Sequence, residues 1–269
     1  MNTKKIAIQI FSDLHVDIKN KLYEIPVKAK YLFLVGNICQ LNHNFFYIYF
    51  NYFSTNWEKV FYIPGNYEFY STKKNYNELD FEYNLKLKEK YKNVYYLNDS
   101  FAKLNDDIDV YGSIFWTIPK FASTYEAKLE IKDYANIKYF NTKLNYVTDL
   151  EINYIKEIAI NSFTSLKTHI EKTNKTTIIM THFPPLRECT TNPNTYNQSE
   201  IVKNYSSWDD KSINNLKLNN VPLWISGHTH WSYNIKKNDC NFISNQLGYK
   251  HEEGHTCFNH DGLYELLYE

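Results

Sequence analysis

The chain has 269 residues, enough for one large α/β domain or two small ones. Its 30 basic and 30 acidic residues give a formal net charge of zero, so charge offers no argument for a nucleic-acid or anionic-membrane partner. An aromatic share of 17% supplies material for a packed core and argues against a disordered chain.

Short apolar runs that stop at polar clusters recur along the sequence. IAIQIF (6–11) stops at Ser12 and Asp13, and YLFLV (31–35) stops at Gly36 and Asn37. The apolar NFFYIYFNYF (44–53) is too short to span a bilayer and is expected to form a buried helix face or core segment. VFYI (60–63) stops at Pro64, Gly65 and Asn66. LDFEYNLKLKEKY (79–91) has the spacing of a helix, VYGSIFW (110–116) that of a strand, and 150–170 that of a long amphipathic helix. TTIIM (176–180) stops at Thr181 and His182, and PLWI (222–225) stops at Ser226, Gly227 and His228. CNFISN (240–245) reads as a further strand, while the Asn-rich stretches 190–198 and 211–220 read as surface loop or frayed helix.

Strands alternating with helices predict an α/β fold with parallel regions, and such folds gather sites beyond the carboxyl ends of their strands. No linker divides the chain, so one domain over 1–269 is expected. Met1 to Lys5 leads directly into a strand-like run, so no signal peptide is expected, and none of Cys39, Cys189, Cys240 and Cys257 forms a CxxC pair. A cytoplasmic or otherwise intracellular, reducing location is the expectation. Lys, Asn, Ile and Tyr are abundant, which fits an AT-rich genome, and Arg187 is the sole arginine.

The polar clusters are themselves a pattern. Asp13 and His15 stand two apart just past a strand, His228 and His230 repeat the spacing, and Asn66 and His182 each follow another strand. Residues two apart in extended chain share a side. Oxygen and imidazole donors without sulfur suit divalent Mn, Fe, Zn or Ni. Each pair alone is weak, because DxH and HxH also occur as ordinary turn residues. Their joint placement at strand ends is what points to a metal cradle.

These blocks resemble the calcineurin-like metallophosphoesterase superfamily, whose pattern is DxH, GD, GNH followed by an acid, a histidine after a strand, and GHxH. Here they read Asp13-Leu14-His15, Gly36-Asn37, Gly65-Asn66-Tyr67-Glu68, His182 and Gly227-His228-Thr229-His230. GNYEFY, GSIFWT, KDYANI and SNQLGY match a compact single-domain branch of it. The resemblance implies two mixed β-sheets packed as a sandwich flanked by helices, in four layers. It implies one metal on Asp13, His15 and His230 and a second on Asn66, His182 and His228, with residue 37 bridging them. It also implies hydrolysis of a phosphate mono- or diester by a metal-held hydroxide, assisted by the residue at 67.

Two residues depart from the pattern: Asn37 stands for the bridging aspartate and Tyr67 for the catalytic histidine. Asn37 could offer one metal its amide oxygen but carries no charge. Tyr67 can donate a hydrogen bond but cannot present an imidazolium. Two functional readings therefore stay open. One is a metal-dependent phosphoesterase of reduced activity, acting on a small-molecule or macromolecular phosphoester, nucleic acid included. The other is an inactive phosphoesterase fold that binds a metal, a nucleotide or a protein. One or two divalent ions are expected, and oligomeric state is not readable.

Several secondary features accompany these. Arg187, in the loop after His182, could contact phosphate or make a surface ion pair. Glu68 is expected either to orient neighbouring groups or to lie exposed at a helix start. His251 to His255 formally matches HExxH, but the glycines around it argue for a loop near the cleft mouth rather than a zinc-protease helix. Asn245 and Tyr249 could line the rim. His43, His169 and His260 carry no spacing signal. Specificity is expected from loops near 40–55, 117–130 and 184–215.

Overall fold

The computed structural model describes residues 4–20, 23–71, 73–118, 120–121, 123–191, 208, 210–252 and 257–268. In chain order the strands are β1 (Lys4–Phe11), β2 (Tyr31–Val35), β3 (Lys59–Ile63), β4 (Val94–Tyr96), β5 (Ser100–Lys103), β6 (Ile108–Ser113), β7 (Lys138–Asn141), β8 (Tyr146–Asp149), β9 (Thr176–Thr181), β10 (Leu223–Ser226), β11 (Asn234–Lys237), β12 (Cys240–Ile243) and β13 (Leu263–Tyr268). One sheet runs β13-β1-β2-β3-β4 and a second runs β11-β12-β10-β9-β6-β5, while β7 and β8 form a separate hairpin. In the first sheet β1 to β4 are parallel and β13 is antiparallel. In the second, β12, β10, β9 and β6 are parallel, with antiparallel β11 and β5 at the edges.

The period-2 alternation of side chains sorts these apolar runs into layers. On β2, Phe33 and Val35 face the cluster between the sheets, and Leu32 and Leu34 face the helices outside. On β9 and β10, Ile178, Met180, Leu223 and Ile225 enter the same central cluster, while Ile179 and Trp224 turn outward. A single helical turn α1 (Val16–Lys19) follows β1, and the outer face of the first sheet is covered by helices α2 (Asn44–Asn56) and α3 (Tyr76–Lys90), through Phe46, Phe50, Phe53, Tyr83 and Leu87. The long helix Ile152–Lys172 covers the second through Ile155, Ala159, Leu166 and Ile170. The result is the four-layer sandwich that the family resemblance implied.

Helix α3 starts where Asn75 and Glu78 exchange hydrogen bonds, Asn75 Oδ1 accepting from the Glu78 N–H at 3.1 Å and Glu78 Oε2 from the Asn75 N–H at 2.8 Å. Helix α2 corrects one expectation. The 40–55 stretch is not a specificity loop, because a helix buries Phe46, Tyr49, Phe50 and Phe53 in the core from Asn44 onward. Within 117–130, residues Thr124–Glu130 are likewise helical, with the Ser123 hydroxyl accepting from the Glu126 N–H. Most of 192–209 lies outside the described residues.

The strands carrying the polar clusters belong to both sheets: β1, β2 and β3 to the first, β9 and β10 to the second. Their carboxyl ends meet along one edge of the sandwich. A parallel bridge from Ser12 to Gln246 joins the sheets there. No helix among the described residues is long and apolar enough to cross a membrane.

Candidate metal centre

Where the strands end, the backbone turns sharply. Asp13, His15, Asn37, His228 and His230 all have φ between 45° and 77°, in the left-handed region. That conformation costs a non-glycine residue about 1–2 kcal/mol, and such strain concentrates at functional sites. Gly36, at φ 82°, admits no side chain: a Cβ there would lie 2.4 Å from His182 Nδ1 and 2.8 Å from the Gly65 backbone. The missing side chain lets the β2, β3 and β9 ends approach one another.

Asp13, His15 and His230 converge. His15 Nε2 lies 3.3 Å from His230 Nε2. Asp13 Oδ1 lies 3.9 Å from His15 Nε2 and 3.6 Å from His230 Nε2. A tetrahedral centre with bonds of about 2.1 Å separates its ligand atoms by roughly 3.4 Å. These three donors therefore fit a single divalent cation, and they form the described Asp/Glu/His/Cys group with that capacity. The other carboxylate oxygen of Asp13 is held by the Ser12 hydroxyl at 2.5 Å and the His228 N–H at 2.9 Å. Burial works against ionising Asp13, but the surrounding histidines hold its carboxyl well below the usual range. Burial also depresses His15, to about 3, which keeps its ring neutral and able to donate a lone pair.

Asn66, His182 and His228 lie beside this trio, with the His182 and His228 rings 5.2 Å apart. His182 Nδ1 faces the Val35 carbonyl at 2.9 Å, which places its proton there and leaves Nε2 as a lone pair. That lone pair lies 3.1 Å from Asn66 Oδ1, itself an acceptor. The Asn66 amide is fixed by its nitrogen, which donates to Asp133 Oδ1 at 2.7 Å. His228 Nδ1 is buried without a hydrogen-bond partner among the described residues.

Asn37 stands between the two groups. Its side-chain nitrogen donates to Asp13 Oδ1 at 3.0 Å and to Asn66 Oδ1 at 3.1 Å. Its oxygen accepts from the Tyr67 N–H at 3.0 Å. The amide orientation is set from both sides, since the ionised carboxylate can only accept and the backbone N–H can only donate. The oxygen expected to face a metal faces Tyr67, and an NH₂ group points into the space between the two donor sets.

Glu68 locks this arrangement from below. It is buried, which overturns the reading as an exposed acid at a helix start. Its carboxylate accepts from the N–H groups of Asn37, Ile38 and Gly65 and from the Tyr62 hydroxyl, at 2.8–3.0 Å. Burial pushes its pKa up to about 7 while the backbone donors pull it down.

Tyr67 and Tyr249 pack against His15. The Tyr67 ring meets His15 edge-on at 5.4 Å, and Tyr249 stacks on His15 at 4.6 Å. Burial and the neighbouring Asp17 raise the Tyr67 phenol far above its ordinary pKa, so it stays protonated. Asn245 is buried rather than at the rim, bonding the Ile10 and Asn259 carbonyls. Arg187 is exposed on the turn Arg187–Cys189, its N–H donated to Asp210 Oδ1. His43 caps α2, and His169 packs beside Phe101 and Tyr111.

Three supporting residues went unread in the sequence. Asp133, within KDYANI, fixes the Asn66 amide and accepts from the Tyr70 hydroxyl. Gln246 accepts from the His230 N–H and donates to the Trp231 carbonyl. Glu252 bonds His230 Nδ1. Only Glu252 lay in a stretch singled out for its chemistry, the HExxH match. Its segment is a short turn, Lys250–Glu252, and Gly254 and His255 lie outside the described residues.

Comparison with known proteins agrees with this architecture. The family model described as calcineurin-like phosphoesterase matches residues 6–232. An uncharacterized protein of Acanthamoeba polyphaga mimivirus is 28% identical over 272 residues, covering 91% of this chain and 92% of that protein. The crystal structure of a phosphopantetheinyl hydrolase from Mycobacterium tuberculosis superposes with a TM-score of 0.68 at 15% identity, over 97% of this chain and 95% of that one. The protein TT1561 of Thermus thermophilus superposes with a TM-score of 0.50 at 11% identity, over 90% of each chain. At these identities the structural likenesses speak for the fold.

Proposed function

The chain belongs to the calcineurin-like phosphoesterase family, and from that premise we propose that it binds one divalent cation and a phosphate-bearing ligand with little or no turnover. The same proposal takes residues 1–269 as one domain, with Asp13, His15 and His230 as the cation's protein ligands.

One observation carries it: the Asn37 NH₂ lies between the donor groups of Asp13 and Asn66. In the family pattern a carboxylate stands there and bridges two metals. An NH₂ bonded to both acceptors offers neither a lone pair nor a negative charge. Asp13, His15 and His230 keep their three donor atoms, although Asp13 Oδ1 also accepts from the Asn37 NH₂. When bound, a divalent cation polarises a phosphoryl oxygen and offsets its charge. The chain's own part is to orient those donors and to hold the ligand against Tyr67. As a neutral phenol, Tyr67 can donate a hydrogen bond to a phosphoryl oxygen. It cannot supply the positive charge or the readily moved proton of a histidine at the same position.

Slow hydrolysis is the second reading, supported by Asn66 Oδ1 facing His182 Nε2 and by the neighbouring His228 ring, whose buried Nδ1 has no hydrogen-bond partner among the described residues. Esters with good leaving groups need the least acid assistance and are the proposed substrates in that case. A panel of phosphate mono- and diesters assayed with Mn²⁺ separates the two. Turnover by wild type close to that of Asn37→Asp with Tyr67→His would favour the active enzyme. Turnover by the double variant alone supports the binding role. Arg187 is not needed in either reading.

A further inference from the structure

A dication held by Asp13 alone among carboxylates leaves one positive charge unmatched in a buried site, and an uncompensated buried charge is costly. In this chain Asn37 does not supply the second negative charge. A second carboxylate stands on the far side of His230. Glu252 Oε2 lies 2.5 Å from His230 Nδ1 and accepts from the Tyr249 N–H at 2.7 Å. The opposite ring nitrogen, Nε2, is the atom that meets His15 and Asp13.

We propose that Glu252 is a positioning residue of the cation site, fixing the His230 tautomer so that Nε2 faces the cation and supplying the negative charge that Asn37 lacks. A histidine ligand that donates its other N–H to a carboxylate is more basic and is held in one orientation. The proposal rests on the one-cation reading above.

The placement of Glu252 is determined by the surrounding backbone. Leu247 and Gly248 donate their N–H groups to the Ser12 and Asp13 carbonyls at 3.1 Å. Gln246, one residue earlier, accepts from the His230 N–H at 2.6 Å. The turn closes when the Glu252 N–H donates to the Tyr249 carbonyl at 3.0 Å. One strap therefore grips both the Asp13 and His230 ends of the centre and delivers the carboxylate behind the histidine. The Tyr249 ring, from the same strap, lies edge-on to His230 at 4.7 Å.

The test is titration of metal-free protein with Zn²⁺ in competition with a chromogenic chelator. Wild type, Glu252→Gln, Glu252→Ala and His230→Ala are compared, with circular dichroism confirming that each metal-free variant is folded. Glutamine retains an acceptor oxygen for His230 and Tyr249 but has no charge, so it isolates the electrostatic part. We expect affinity to fall roughly 10- to 100-fold in Glu252→Ala and by an intermediate factor in Glu252→Gln. Folded Glu252→Ala that binds Zn²⁺ within twofold of wild type would overturn the role of Glu252. Wild type that binds Zn²⁺ no better than His230→Ala would overturn the one-cation reading itself, and the role of Glu252 with it.

Discussion

The side-chain nitrogen of Asn37 lies 3.0 Å from Asp13 Oδ1, so an amide hydrogen is aimed at the carboxylate oxygen that also faces His15 and His230. A carboxylate at position 37 would instead place two acceptors against each other, an arrangement that a cation between them relieves. The difference between one and two cations thus comes down to which atom position 37 turns toward Asp13.

Restoring both family residues should restore chemistry. Asn37→Asp with Tyr67→His is expected to raise phosphoester turnover with Mn²⁺ by about 10² to 10⁴ over wild type, the usual range for a general acid or oxyanion donor. Initial rates on an activated phosphodiester provide the check. No gain in a folded double variant would mean that turnover is limited elsewhere.

Bound cation should also stabilise the fold. At a free concentration of 100 times its dissociation constant, a ligand specific to the native state adds about 2.7 kcal/mol. For a chain of this size that corresponds to a rise in Tm of roughly 5–10 °C. Thermal melts with and without Zn²⁺ should show the rise in wild type and not in His230→Ala, and chelator should reverse it.

Glu68 should matter to stability more than a surface acid would. Glu68→Gln brings a donor amide to a position where three backbone N–H groups and the Tyr62 hydroxyl all require an acceptor. A loss of about 2–5 kcal/mol is expected, from unsatisfied buried donors. Urea unfolding would measure it, and a loss below about 0.5 kcal/mol would show that the carboxylate is dispensable.

Gly36→Ala is expected to be comparably damaging. The new methyl group would meet His182 Nδ1 and the Gly65 backbone at a φ of 82°. Left-handed strain and overpacking together should cost about 2–5 kcal/mol. Zn²⁺ affinity should fall as well, because the β2 and β3 ends must separate. A variant with the wild-type midpoint and affinity would refute the close approach.

Much of this was legible in the sequence for a physical reason. Asp13, His15, Asn66, His182, His228 and His230 each follow a buried strand, and parallel strands deliver their ends to one edge. The layers were expected only from the family resemblance; the structure sorts the runs, with Phe33 and Leu34 on consecutive positions facing opposite sides of their sheet. What stayed hidden depends on contacts between distant residues. The direction of the Asn37 amide is decided by the Tyr67 N–H, 30 positions away. Asp133 reaches Asn66 across 67 positions and Glu252 reaches His230 across 22, with no spacing rule linking either pair. The 40–55 stretch was readable both as apolar helix and as loop, and packing of Phe46, Phe50 and Phe53 against the first sheet decided for helix.

The number of cations bound per chain is the most direct test of the account. Calorimetric titration of metal-free wild type with Mn²⁺, beside Asn37→Asp, should give one ion per chain for wild type and two for the variant. Two ions of similar affinity in wild type would contradict the claim that the Asn37 NH₂ closes the second position.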